Sequence, residues 1–209
     1  PARPAVPLTF DAAGKNKRFE YQGVFAVSDA ITATFGAESE RSRMRTRSPQ
    51  VTTPNPAFKT GRVGVDSVYG QVQAEVVQGL TLTAGVRYED HDTYGSHTLG
   101  QVAAAWALNE GNTIVRASFG QGFRAPGLYE LYSEYGDTDL RPESVDSYDL
   151  GVTHTFAGGR LTASATAFRR DVDNQITFFD CFSGASPLCA PGGVPRFGFY
   201  ETTLKTRAK

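Results

Sequence analysis

Methionine and tryptophan occur once each in this 209-residue sequence, cysteine twice and histidine three times, and no long apolar run is present. A membrane-spanning helix needs roughly 18 or more consecutive apolar residues, so a helical membrane protein is excluded. Charge of either sign is not in excess: 21 Lys and Arg face 22 Asp and Glu, which gives no basis for a nucleic-acid partner. No nucleophile, base and orienting group fall together, and the glycines of "SFGQGFRAP" follow a strand without opening a helix, so they do not cradle a phosphate. The chain therefore reads as a non-enzyme with no cofactor. Its start, "PARPAVPLTFDAAGKNK", lacks both an initiating Met and a charged-then-apolar leader, which reads as a start removed by processing or truncation.

The scarce metal-ligating residues cluster in two places. His91 and His97 lie in "EDHDTYGSH"; Asp90, His91 and Asp92 are candidates for a divalent ion at a loop, the alternative being a solvated hairpin turn. Cys181 and Cys189 sit in the Gly/Pro/Ser-rich "DCFSGASPLCAPGG". That context suits a small disulfide-closed loop in an oxidising compartment. Two unrelated thiols are the alternative, and a metal site would need more ligands than the segment offers.

What the sequence does contain is alternation with period two, from Arg18 onward. In "RFEYQGVFAV" Phe19, Tyr21, Phe25 and Val27 oppose Arg18, Glu20 and Gln22. In "SVYGQVQAEVV" Val68, Val72, Ala74 and Val76 oppose Tyr69, Gln71, Gln73 and Glu75. "AITATFGAE", "LTLTAGVRYE", "GQVAAAWAL", "NTIVRASFG", "DSYDLGVTHTF", "LTASATAFRR" and "FYETTLKTRAK" complete nine strands. Short turns at Ser28-Asp29, Gln78-Gly79, 109–112 and 157–159 alternate with longer polar connections at about Ser39–Arg62, Asp90–His97, Gly120–Val145 and Asp171–Phe197. Up-and-down pairing puts all the tight turns at one end and all the long loops at the other.

A soluble sandwich and an outer-membrane barrel both alternate, with opposite faces toward water. Segregated loop lengths, strand lengths near 10 residues and aromatics such as Tyr88, Trp106 and Phe156 near strand ends favour the membrane barrel. The fold expected is all-β: an antiparallel up-and-down transmembrane β-barrel segment. "ERSRMRTR" (Glu40–Arg47) is a basic external stretch, suited to anionic lipopolysaccharide or an anionic ligand, or simply an extended solvated strand end.

One stretch carries a resemblance. Gly122-Phe123-Arg124-Ala125-Pro126, then Leu128-Tyr129 and Leu131-Tyr132, then Asp139-Leu140-Arg141-Pro142-Glu143, then Ser147-Tyr148-Asp149-Leu150-Gly151 resembles the strand, loop and strand of TonB-dependent outer-membrane receptors. Flanking strands agree from about Arg18, and "DNQITFFDCFSGASPLCA" is most similar to the cobalamin-receptor-like branch. The resemblance implies a barrel of about 22 strands closed by a plug, in the bacterial outer membrane, importing a small metal chelate (cobalamin or a siderophore) with energy from the TonB system reached through the plug. It implies no catalytic residue and no cofactor; its partners are outer-membrane lipid, TonB and the chelate, and not nucleic acid.

Residues 1–209 hold no plug-like α/β segment, no TonB-box-like stretch and no closing strand, so the chain reads as a partial barrel domain lacking plug and C-terminal strands, expected to need detergent when alone. Tyr129, Tyr132, Tyr135, Phe179 and Phe182 are the ligand-contact candidates at the loop tips. Arg124 is expected to meet a lumenal carboxylate or the plug. A passive porin and a soluble β-sandwich binding module are the rival readings.

Overall fold

The computed structural model describes residues 9–49, 55–190, 193 and 195–209. Nine strands form one antiparallel sheet in sequence order: β1 (Asp11–Ser28), β2 (Ile31–Arg47), β3 (Lys59–Val77), β4 (Leu80–His91), β5 (Gly95–Leu108), β6 (Thr113–Arg124), β7 (Glu143–Phe156), β8 (Leu161–Asp180) and β9 (Gly198–Ala208). β1 and β9 are its two edges, so the sheet is not closed among the described residues. Among the described residues one α-helix, the five-residue α1 (Leu128–Tyr132), interrupts the β6–β7 connection. Among the described residues no helix is long and apolar enough to cross a membrane; strands are the spanning elements.

The register makes the two faces continuous across neighbours. Tyr21 faces Ala37, Ala37 faces Val68, and Val68 faces Tyr88. Leu82 meets Ala104, Ala104 meets Ala117, and Ala117 meets Leu150. This apolar face is not covered: Phe19 is 75% exposed, Phe25 61% and Leu150 59%, and only Leu131, Leu140, Ile176 and Phe199 are buried apolar residues among those described. A soluble sandwich would cover such a face with a second sheet; here the apolar runs Val68–Val76 and Leu80–Tyr88 have the length of a tilted strand crossing hydrocarbon, about 9–11 residues. Tyr21, Tyr88, Phe119 and Tyr148 lie near its long-loop boundary, with Trp106, Phe156 and Leu161 near the other.

The opposite, lumenal face is polar and internally paired. Arg18 reaches Glu20 at 3.1 Å and Glu38 at 3.0 Å, and Arg87 reaches Glu38 at 3.3 Å and Glu89 at 3.2 Å. Tyr69 Oη donates to Gln22 at 3.0 Å, and Gln101 donates to Gln71 at 2.8 Å.

Strands run further than the sequence pattern implies. β1 begins at Asp11 rather than Arg18, and Ser39–Arg62 is strand up to Arg47 and again from Lys59. Asp90–His97 shrinks to a turn at 92–94, while β6 and β8 continue to Arg124 and Asp180. The reason is common to all of them: ladders extend beyond the lipid layer, where the outward side chains become polar while the backbone pairing continues. Part of "SPQVTTPNPAF", residues 50–54, lies outside the described residues.

Adjacent positions separate the two faces experimentally. In the full-length protein refolded into bilayers, Val72→Arg is expected to cost about 2–4 kcal/mol at the lipid midplane, while Gln71→Arg, one residue away and lumenal, costs under about 1 kcal/mol. Denaturant titration of folding measures both.

Candidate functional site

The ladder between β6 and β7 ends on the pair Arg124 and Glu143, and the chain between them folds over the sheet. Pro126 and Pro142 carry no N–H, so neither strand can extend its hydrogen bonding through them. Arg124 holds the resulting loop at both ends. Its Nε and Nη2 donate to the two oxygens of Glu143 at 2.9 and 3.0 Å, and its Nη1 donates to Glu130 Oε1 and Oε2 at 3.2 and 3.0 Å. Glu130, on α1, accepts the Gly127 N–H at 2.6 Å and so caps the helix start.

β8 adds the next contact. At Asn174 (φ 56°) its pairing with β9 skips a residue, and the Ile176 N–H beyond it donates to Glu143 Oε1 at 2.7 Å. Arg124, then this amide, hold the Glu143 carboxyl below the usual carboxylate range against the opposing effect of burial. Glu143 foremost, and then Glu130, raise Arg124 above the ordinary guanidinium value against the opposing effect of burial.

Beneath the loop, Leu131 and Leu140 bury against Ile176, with Tyr132 and Tyr200 packed on them. The Tyr132 ring lies where any side chain at Gly61 would stand, so β3 needs glycine there. Hydrogen bonds then tie the loop to strands on both sides. Lys59 Nζ donates to Ser133 O at 3.1 Å, and Tyr94 Oη to Leu140 O at 3.3 Å. The Tyr200 N–H donates to Tyr135 O at 3.0 Å, and the Arg141 N–H to Thr202 Oγ1 at 3.2 Å. A connection rooted in β6 and β7 that reaches both β3 and β9 crosses the concave side of the curved sheet as a lid.

Outside the lid lies an aromatic mouth. A cavity of about 720 Å³ is lined by Phe10, Tyr129, Glu134, Tyr135, Arg196 and Phe197, among others. Tyr129 meets Phe10 and Tyr200 edge-on at centroid distances of 6.2 and 6.4 Å, and Phe178 lies 5.7 Å from Tyr135 and 5.2 Å from Tyr200. Burial raises the pKa of both Tyr129 and Tyr135, so both are neutral phenols at physiological pH.

Of the five aromatic candidates, Tyr129 and Tyr135 line this mouth. Tyr132 packs into the lid, Phe179 stacks on Phe199 at 5.0 Å, and Phe182 is 80% exposed beside Phe197. Cys181 and Cys189 are bridged, and the loop they close orients Arg196: its N–H donates to Cys189 O at 2.9 Å and its Nε to Leu188 O at 2.7 Å. Phe10, Arg196 and Phe197 belong to the mouth without any sequence signal beyond their type, because they arrive from the ends of the chain.

The candidate ion ligands do not converge. Alternation turns Asp90, opposite Asp66, and His91, opposite Val65, to different faces. His91 is 5% exposed, its Nδ1 accepts the Thr93 and Tyr94 N–H groups, and burial lowers its pKa. Among the described residues no three His, Cys, Asp or Glu side chains are placed to hold a metal. His97 instead stacks on Phe123 at 3.8 Å, and His154 shares a 2.7 Å hydrogen bond with Thr113.

The clamp gives a pH signature with a definite sign. Because the folded-state pKa of Glu143 is depressed, its contribution to lid stability is complete above the ordinary carboxylate pKa and is lost as pH falls through the lower folded value. The protection factors of the amides in residues 128–140 of the full-length protein, that is, exchange rates corrected for their intrinsic pH dependence, are expected to be flat from neutrality to about pH 5 and to fall below about pH 4. Arg124→Ala, which leaves two carboxylates facing one another, is expected to lower the lid-opening free energy by about 1–2 kcal/mol, a value discounted for partial exposure. Unchanged exchange in that variant would show that the clamp does not hold the lid.

Comparison with known proteins gives the same architecture. The family described as "TonB dependent receptor-like, beta-barrel" matches residues 6–200. The vitamin B12 transporter BtuB of Vibrio vulnificus is 27% identical over 186 residues, covering 89% of this chain and 28% of that protein. Among solved structures, a ferric enterobactin receptor of Pseudomonas aeruginosa superposes with a TM-score of 0.74 at 19% identity over 94% of this chain and 32% of its own. A structure described as the copper transporter OprC gives 0.72 at 15% identity, over 95% and 34%. The chain thus spans about a third or less of the length of these relatives. With the match running through the strands and the clamped lid alike, this chain belongs to the TonB-dependent receptor-like β-barrel family.

Proposed function

We propose that this chain forms part of the wall of a bacterial outer-membrane importer that captures a small metal chelate at its external mouth, with cobalamin ahead of an iron siderophore. The observation that carries this reading is the aromatic mouth beside the clamped lid, at the end of the barrel where the long connections gather. Neutral phenols and phenyl rings offer broad apolar surface with a few polar tips, the usual composition of a small-molecule site.

Its charged lining residues, Glu134 and Arg196, offset one another, which suits a bulky ligand of low net charge better than a polyanionic chelate. The likeness to a vitamin B12 transporter supports the same choice. Transport in this reading involves no covalent chemistry: the ligand binds at the mouth, and a plug coupled to TonB moves to pass it inward. A passive porin of the same outline would need neither a plug nor an energised partner.

Calorimetry on the full-length receptor in detergent distinguishes these readings. Cyanocobalamin is expected to bind, ferric enterobactin more weakly, and Tyr129→Ala or Tyr135→Ala each to weaken cobalamin binding about 10-fold. Preferential siderophore binding would overturn the choice of ligand. Binding of neither, with passive solute flux through receptor-loaded liposomes, would favour the porin.

A further inference from the structure

The outward face of β1–β3 changes character abruptly at the external edge of the apolar band. Continuing the alternation of Phe35 and Ala37, the outward positions of β2 are Ser39, Arg41, Arg43, Arg45 and Arg47. Register places Lys17 opposite Arg41 and Lys15 opposite Arg43 on one side, and Arg62 opposite Arg43 on the other. Seven cations therefore share one face of three adjacent strands, immediately above Phe19, Tyr21 and Val68.

Two of the seven have carboxylate partners: Arg41 pairs with Asp66 at 2.6 Å and Arg47 with Asp11 at 3.0 Å. Among the described residues Lys15, Lys17, Arg43, Arg45 and Arg62 form no ion pair within 4.0 Å. Like charges directly opposite one another destabilise a ladder, yet this face holds three such pairs in adjoining positions. Elsewhere the like-charge rungs, Glu20 opposite Glu38, Asp66 opposite Asp90 and Asp146 opposite Asp171, each have an arginine bonded to a carboxylate of the pair. On the lumenal side of β1 and β2, Arg18 lies between Glu20 and Glu38. At the far end of the sheet, Arg169 and Arg207 share Asp171, and Lys205 meets Asp173.

We propose that this face is a docking surface for the phosphorylated saccharide headgroup of an outer-leaflet glycolipid, that is, lipopolysaccharide. The position argues for a membrane component over a transported ligand, because the cations point away from the lumen. The height argues for an extended headgroup. From the Lys17/Arg41 rung to the Asp11/Arg47 rung the strand rises roughly 20 Å, or about 14 Å along the membrane normal at the tilt of a barrel strand. A phospholipid headgroup layer is only about 5–8 Å deep, whereas a glycolipid carrying phosphates on its sugars presents anions over the longer span. Arginine suits them because its planar fork binds two phosphate oxygens at once. The bound anion relieves the repulsion that the bare ladder carries.

The test uses full-length receptor purified in detergent and freed of lipid. Its melting temperature is expected to rise with phosphorylated lipid A bearing inner-core sugars, and to be unmoved by the dephosphorylated form, by phosphatidylglycerol or by millimolar inorganic phosphate. Combined Lys15→Gln, Arg43→Gln and Arg62→Gln is expected to weaken glycolipid binding about 100-fold while leaving the lipid-free melt unchanged or raised, since repulsion is removed. An equal response to dephosphorylated lipid A or to phosphatidylglycerol would reduce the surface to ordinary boundary lipid. A full response to inorganic phosphate alone would make it a free-anion site. Retention of glycolipid affinity by the triple variant would overturn the assignment, and so would a lower lipid-free melt in that variant. The wild-type ligand series decides the matter even if the triple variant does not fold.

Discussion

Hydrocarbon offers no hydrogen-bonding partner to a peptide group, and the structure follows from that constraint. Each N–H and C=O within the apolar layer must be satisfied by a neighbouring strand. That requirement favours an up-and-down sheet in sequence order and makes alternate residues face lipid and lumen. The absence of a conventional core among the described residues is a consequence: the apolar side chains of β1–β8 pack against the bilayer, and the small buried cluster of Leu131, Leu140 and Ile176 belongs to the lid. Outside the bilayer the same ladders continue, and the outward face is free to carry charge.

The lid depends on charge in a different way. A guanidinium can bond two carboxylates at once through its fork of donors, and Arg124 uses this to join the last rung of β6–β7 to the first turn of α1. A five-residue helix is too short to persist by itself; here its start is capped by Glu130, its underside is buried, and its flanks are tied to β3 and β9. The aromatic mouth is assembled around that lid, with Tyr129 on α1, Tyr135 just beyond it, and Arg196 set by the loop that Cys181 and Cys189 close. Rigid strands with one braced connection provide a fixed platform on which a ligand can be recognised.

Much of this was legible in the sequence, for physical reasons that also mark where legibility ended. Within the bilayer the two faces differ strongly in polarity, so Phe19, Tyr21, Val68 and Val72 announce their strands. Above the bilayer both faces are polar and the contrast disappears, although Arg41, Arg43, Arg45 and Arg47 keep the period of two that strand β2 requires. The Gly-Phe-Arg-Ala-Pro and Leu-Arg-Pro-Glu elements identified the connection as special, but the double clamp on Arg124 needed coordinates, because Glu130 is one carboxylate among several nearby. Short α1 has too few residues to display a helical period. Asp90 and His91 were adjacent in sequence and turned to opposite faces by the same alternation that revealed the strands. Phe10 and Arg196 come to line one cavity only after the whole sheet has curved, which no local pattern encodes.

The division of this sheet into one face that meets lipid and another that meets an aqueous lumen can be measured residue by residue. Nitroxide labels placed singly at positions 70 to 76 of β3, in the full-length receptor reconstituted in bilayers, report accessibility to oxygen, which partitions into lipid, and to a water-soluble nickel chelate. Labels at Val72, Ala74 and Val76 are expected to favour oxygen and those at Gln71, Gln73 and Glu75 the nickel chelate, with a strict period of two. Equal accessibility to the nickel chelate along the whole strand, or a pattern with no alternation, would contradict the account.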